Sequence, residues 1–141
     1  MAKAVAKGAK SEGAVTELKR VDYATAYDVM AADAVAFGSP CYYGYMAGAL
    51  KEFFDRMLEP EVLKKIRMKP AAAFASNGEK DGAMEALLSI KKILYNYFML
   101  RPVGDRNSIV CKGEPDEVKI KECESLGIML AQAAVKEAGN G

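Results

Sequence analysis

Apolar positions change period several times along the chain, and each change marks an element. Met1, Val5 and Ala9, with Ala2 and Ala6 beside them, share a helical face opposite Lys3, Lys7 and Lys10. The lysine row reads as a solvated face, and Gly13 supplies the stop. No N-cap residue or turn precedes this helix, so it has an end without a beginning. Residues 14–21 mix polarity through Thr16, Glu17, Lys19 and Arg20, the pattern of a short strand at a sheet edge. Residues 25–32 fit a short helix. Ala34, Val35, Ala36 and Phe37 then form an apolar run closed by Gly38, Ser39 and Pro40, which predicts a strand covered on both faces.

From Leu50 the period becomes helical. Leu50, Phe53, Phe54, Met57 and Leu58 fall on one face and Lys51, Glu52, Asp55 and Arg56 on the other, which predicts a helix over 50–59. Pro60 and residues 61–67 read as a connector with one more helical turn. Pro70 tolerates only the beginning of a strand, so 71–75 is the next buried strand, and it ends in the polar loop 76–82. A long helix is predicted over 83–99, with Leu87, Ile90, Leu94, Tyr97 and Phe98 inward and Lys91 and Lys92 outward. Residues 101–104 give a short, proline-bearing edge strand, and 108–112 a second extended piece whose place is left open. Pro115 at a first helical position, followed by Asp116 and Glu117, starts a final helix to about residue 137. Its inner face is Cys123, Leu126, Gly127, Leu130 and Ala134, and the tail 139–141 is expected to fray. Strands alternating with helices imply an α/β fold, a doubly wound parallel sheet in a single domain over 1–141.

Composition removes several function classes. Twenty basic and 19 acidic residues leave a net charge of +1, with no electrostatic footprint for nucleic acid or an anionic membrane. No apolar run approaches the roughly 20 residues of a membrane span, and no signal-peptide core opens the chain, so a cytoplasmic location is expected. Cys41, Cys111 and Cys123 are odd in number and lack CxxC spacing, which argues against both a disulfide framework and a zinc site. The sequence has no histidine, which removes the commonest general base, the nucleophile triads and most metal sites. Redox or transfer chemistry would therefore have to be carried by a cofactor, and no side chain is assigned a catalytic role.

Candidate binding residues lie on two loops at the carboxyl ends of predicted strands, where open α/β sheets take their ligands. The 39–48 loop offers Ser39, the tyrosines 42, 43 and 45, Met46, and glycines 44 and 48 that permit close backbone approach. Clustered aromatics suit stacking on a flat ring such as a flavin, and they equally suit covering the sheet end. Cys41 has no histidine partner, and the arginine that a Cys-x5-Arg phosphatase loop needs is Ala47, so it reads as a small loop thiol. In the 76–82 loop, Ser76, Asn77 and Asp81 either hydrogen-bond a ligand edge or serve as turn formers, Asp81 as a helix N-cap. Neither loop carries GxxxxGK[ST] or GxGxxG.

The run Phe37-Gly38-Ser39-Pro40-Cys41-Tyr42-Tyr43-Gly44-Tyr45-Met46-Ala47-Gly48, followed by Leu50-Lys51-Glu52-Phe53-Phe54-Asp55-Arg56, resembles the FMN-binding third-strand loop and helix of the flavodoxin family. It is most similar to the flavodoxin-like NAD(P)H-dependent oxidoreductases and quinone reductases. The resemblance implies a three-layer α/β/α fold and a redox protein that binds FMN and passes electrons from NAD(P)H to a quinone or another acceptor. It places Ser39, Pro40, Cys41, Tyr42, Tyr43, Gly44, Tyr45 and Met46 on one side of the ring. Ser76, Asn77, Gly78, Asp81 and Gly82 fall on the other. Cys41 stands where the family has threonine and Tyr45 where it has asparagine, so the resemblance does not carry over two side-chain hydrogen bonds to the flavin, while it does carry over the backbone contacts. The family also opens with a strand and a Ser/Thr-rich phosphate loop ahead of the first helix. Here the chain opens inside that helix, so it is expected to be a fragment lacking the first, central strand or to start at an internal methionine. The expected partners are the flavin and small-molecule donors and acceptors, with pairing into a homo-oligomer as in the family. The alternative is a chain that binds no flavin and acts as a sheet-forming fragment or interaction module.

Overall fold

A computed structural model describes residues 1–78, 81–104 and 109–139. At its centre stands β3 (Pro70–Asn77), whose first six residues are all buried. β1 (Val35–Tyr42) lies parallel to it, with Val35 opposite Ala71 and Pro40 opposite Ser76. On the other side, β4 (Arg101–Pro102) pairs with Pro70 and Ala71, and β5 (Ile109–Lys112) with Phe74 to Asn77, both parallel. The two pieces thus occupy the same flank of β3 in succession, which gives the extended piece predicted over 108–112 its place. Ser108 itself lies outside the described residues, as do Glu79, Lys80, Asn140 and Gly141. A two-residue strand, β2 (Tyr45–Met46), folds back antiparallel on the end of β1.

Alternate residues of β3 serve two cores. Ala71, Ala73 and Ala75 face a layer made by α2 (Ala26–Ala31), α3 (Gly48–Arg56), α4 (Pro60–Ile66) and α5 (Ala83–Lys91). Ala72 and Phe74 face α1 (Ala2–Ser11) and α6 (Glu117–Gly139). This is the three-layer α/β/α architecture expected from the alternation of elements. The alanines of β3 let both layers approach closely, and Phe37, Phe53, Phe54 and Phe98 fill one side with edge and tilted ring contacts.

Capping fixes the smaller helices. Gly13, at φ +82°, ends α1 with its N–H on Lys10 O (2.9 Å) and the Ala14 N–H on Ala9 O (3.2 Å), a Schellman closure. Thr25 and Asp28 form a reciprocal capping box at the start of α2. Lys69 closes its other end, donating to the carbonyls of Val29, Met30 and Ala32. Burial pushes the Lys69 ammonium below the ordinary lysine value, with Asp33 opposing.

Several expectations are corrected. Residues 14–20 form no strand: the segment has no ladder partner among the described residues, and Val15 and Leu18 are exposed. An edge strand needs a neighbour to pair with, and among the described residues the flank of β1 away from β3 has none over residues 35–40. β1 itself runs on to Tyr42, through the Gly-Ser-Pro stretch read as its stop. The inner row of α1 is Ala4, Val5 and Gly8, rotated from the expected Met1, Val5 and Ala9 because α1 packs backbone to backbone on α6. A Cβ on Gly8 would lie 1.9 Å from Glu124 O, and one on Gly127 1.9 Å from Val5 O. α3 stops at Arg56, so Met57 is buried and Leu58 swings out to solvent. α5 gives way to a π-helical turn, Lys92–Tyr97, in which the Phe98 N–H reaches Ile93 O. The wider turn shifts the helical phase, leaving Leu94 and Phe98 buried but Tyr97 exposed. α6 begins at Glu117 rather than Pro115, with the Asp116 carboxylate accepting the Lys119 N–H at 2.8 Å.

Candidate functional site

Three segments meet at the carboxyl end of the sheet. The first is the end of β1, where Cys41 opposes Met46 and Tyr42 opposes Tyr45, leaving Tyr43 and Gly44 as a two-residue turn. Both have positive φ, 55° and 72°, the sense that matches the twist of a tight hairpin. Asparagine or glycine usually fills the first position, and a tyrosine there costs about 1–2 kcal/mol in backbone strain. Nothing packs on its ring: Tyr43 is fully exposed, Tyr42 59 % and Tyr45 44 %. The hairpin therefore presents its rings outward instead of using Tyr43 to cover the sheet end. Cys41 and Met46, by contrast, point into the core below the hairpin.

Ser39 is buried, and its hydroxyl is committed within the chain. It donates to Pro40 O (2.7 Å) and accepts the Ala47 N–H (2.8 Å). The Met46 N–H donates to Ser89 Oγ on α5 at 3.3 Å. Ser39 thus closes the loop on itself.

The second segment follows β3. The Asn77 side chain donates through Nδ2 to Asp81 O (2.9 Å) and accepts the Gly78 N–H (2.9 Å), so it shapes the turn. Gly82, at φ +131°, is the residue before α5, and a Cβ there would lie 3.2 Å from both Cys41 Sγ and Asn77 Nδ2. This contact ties the second loop to the base of the hairpin. Asp81 is not the N-cap of α5, contrary to expectation: that position is Gly82, without side-chain capping, because the Asp81 carboxylate is turned outward to Lys112 at 3.3 Å. A pair so exposed contributes little to stability.

The third segment, at the end of β5, was not singled out from the sequence. The Gly113 N–H donates to the carbonyls of Asn77 (2.8 Å) and Gly78 (3.0 Å), which ties the Gly113-Glu114-Pro115 turn to the β3 loop. Together with Met1 and Ala2 of the α1 end, this turn walls a cleft of about 340 Å³ floored by Gly38, Ser39, Pro40, Phe74 and Ser76. Gly38 is required there, since a Cβ would fall 2.1 Å from the Phe74 ring. The position of the turn at the carboxyl end of the last strand was the signal that would have identified it. Of the candidate residues, Ser39, Pro40 and Ser76 line the cleft. The tyrosines stand on the adjoining hairpin, and Asn77, Gly78, Asp81 and Gly82 form the neighbouring loop.

Cys41, Cys111 and Cys123 are all free and buried, and burial pushes the Cys123 thiol above its ordinary value. Among the described residues no group of His, Cys, Asp and Glu is arranged to hold a metal ion.

A parallel sheet wrapped on both faces, with a glycine- and tyrosine-bearing hairpin at its carboxyl edge, has the flavodoxin-like arrangement. The family model described as NADPH-dependent FMN reductase matches residues 23–114, and the chain belongs to that family. It is 40 % identical over 144 residues to a protein named flavodoxin from Aquifex aeolicus, covering 94 % of this chain and 77 % of that one. It is 27 % identical over 172 residues to an NAD(P)H dehydrogenase (quinone) from Archaeoglobus fulgidus, covering 96 % of this chain and 90 % of the other. A solved flavodoxin from the domain Archaea superposes with a TM-score of 0.77 at 21 % identity, over 94 % of this chain and 87 % of that one, a likeness of fold.

Proposed function

We propose that this chain binds FMN non-covalently at the tyrosine hairpin and passes electrons from reduced NAD(P)H to a quinone or another acceptor. One observation carries the reading. Tyr43 is held in a left-handed backbone with its ring wholly in solvent, on the hairpin that follows Pro40, which lines a cleft together with Ser39 and Ser76. Strain of that kind persists where a ligand repays it, and a flat ring stacking on the hairpin would do so.

The residues present suit the ring of the cofactor, and none of them stands in for the family's phosphate loop. The cleft volume lies at the lower end of the roughly 300–1,000 Å³ typical of small-molecule sites. Gly44 and Gly78 have open space where a side chain would stand, so the backbone is approachable. Pro40, Tyr42, Tyr43, Gly44 and Tyr45 would hold one side of the ring, with Cys41 and Met46 contributing backbone only. Ser76, Asn77, Gly78, Asp81 and Gly82 would border the other, and Ser39 would shape the loop. A bound flavin supplies the hydride and electron transfer, and the chain's residues bind it, orient it and keep water from one face.

Titrating the purified chain with FMN tests this directly. Quenched flavin fluorescence with retention on dialysis at micromolar protein is expected, followed by NAD(P)H oxidation that depends on added quinone. Unquenched, freely dialysable flavin would sink the reading. The unpaired flank of β1, with Val15 and Leu18 exposed, favours a second reading as an interaction module, and that result would leave it standing.

A further inference from the structure

We infer that Ser89, on α5 behind the hairpin, is a positioning residue that sets how firmly the tyrosine turn holds its ring; the inference rests on the flavin reading above. β2 has only two residues, and its two pairings with β1 are too few to fix a hairpin alone. Its base is fixed by two hydroxyls acting on consecutive amides. Ser39 accepts the Ala47 N–H at 2.8 Å and Ser89 accepts the Met46 N–H at 3.3 Å.

Each hydroxyl has a single proton, and each proton is already assigned. Ser39 donates to Pro40 O and Ser89 to Ala86 O, both at 2.7 Å. What remains on each oxygen is acceptor capacity, which the Ala47 and Met46 N–H groups use. Met46 is 2 % exposed, so its N–H has little access to water if Ser89 is removed. Tyr45 is the next residue back and Tyr43 lies three back, so the register of α5 against the hairpin is passed to the rings within one short stretch of chain. Serine is a weaker helix former than alanine, and at this seam the hydroxyl offsets that cost.

The test compares wild type, Ser89→Ala and Ser89→Thr. Alanine keeps α5 helical, so the first variant removes the hydroxyl, both the acceptor for Met46 and the donor to Ala86 O, while threonine retains one. Without flavin, Ser89→Ala is expected to speed hydrogen exchange at the Met46 amide by about tenfold, leaving the amides of residues 71–75 unchanged. With flavin, the Kd for FMN is expected to rise about five- to tenfold, mainly through faster release. Ser89→Thr restores both. Exchange at Met46 and Kd both within twofold of wild type in Ser89→Ala would overturn the inference, as would failure of threonine to restore them. If wild type binds no FMN, the flavin reading falls together with the affinity half of the inference, and Met46 exchange alone decides whether the Ser89 clip exists.

Discussion

Tyr43 carries the argument at the scale of a single residue, because its conformation and its exposure point the same way. A residue selected for stability at that turn position would be glycine or asparagine. Replacing Tyr43 with glycine is therefore expected to stabilise the ligand-free protein by about 1 kcal/mol, read as a higher Tm, while weakening FMN binding severalfold. A variant that gained no stability would remove the evidence for stored strain. The exposed tyrosine turn was legible in the sequence because aromatic and glycine side chains crowd a short loop after an apolar strand. Ser89 was not: a lone serine in an apolar helix has no periodic or spacing signal, and its use depends on which amide the fold brings to it. Asp81 misled for a related reason, since a carboxylate just before a helix is a good cap only if nothing draws it outward, and Lys112 arrives from a distant strand.

At the scale of elements, sequence pattern identified those whose stability is local or whose core face is unambiguous. The alanine strand and the helices lie near their expected places, although the inner row of α1 is rotated, whereas residues 14–20 do not form a strand, because strand character needs a partner that propensity cannot supply. The π turn was invisible for another reason: it conserves the apolar composition of the helix and changes only the phase, which is how Tyr97 came to face water. α2 offers a test of local capping. Its Asp28 carboxyl is held below the ordinary value of 3.8 first by the hydrogen bond from Lys19 and then by the Thr25 backbone N–H. A depressed carboxyl contributes stability above its unfolded value and loses it as pH falls through the folded one. Asp28 should accordingly titrate below 3.8 by NMR in wild type and move back toward it in Lys19→Met. An unchanged titration would show that Lys19 plays no part.

The whole molecule is a sheet with unequal sides. β3 is paired along both flanks and buried, whereas β1 over residues 35–40 is paired on one flank. Native-state hydrogen exchange should follow this asymmetry, with the amides of 71–75 the slowest in the protein and those of β1 that point away from β3 faster by orders of magnitude. Uniform protection across both strands would mean that something covers the β1 flank in solution. No described helix is long and apolar enough to cross a membrane. Gly8 and Gly127, described as a packing contact, also behave as a bearing: where α1 crosses α6 there is no side chain to compress, so α1 is seated at a fixed height and angle. Met1 and Ala2, which wall the cleft, ride on the far end of that rod. Gly127→Ala should cost about 3 kcal/mol or more by denaturant unfolding, since backbone atoms cannot yield as side chains do. In the fraction that still folds, α1 would tip and the cleft would change width. On that prediction, two glycines outside the cleft lining govern how wide the cleft stands.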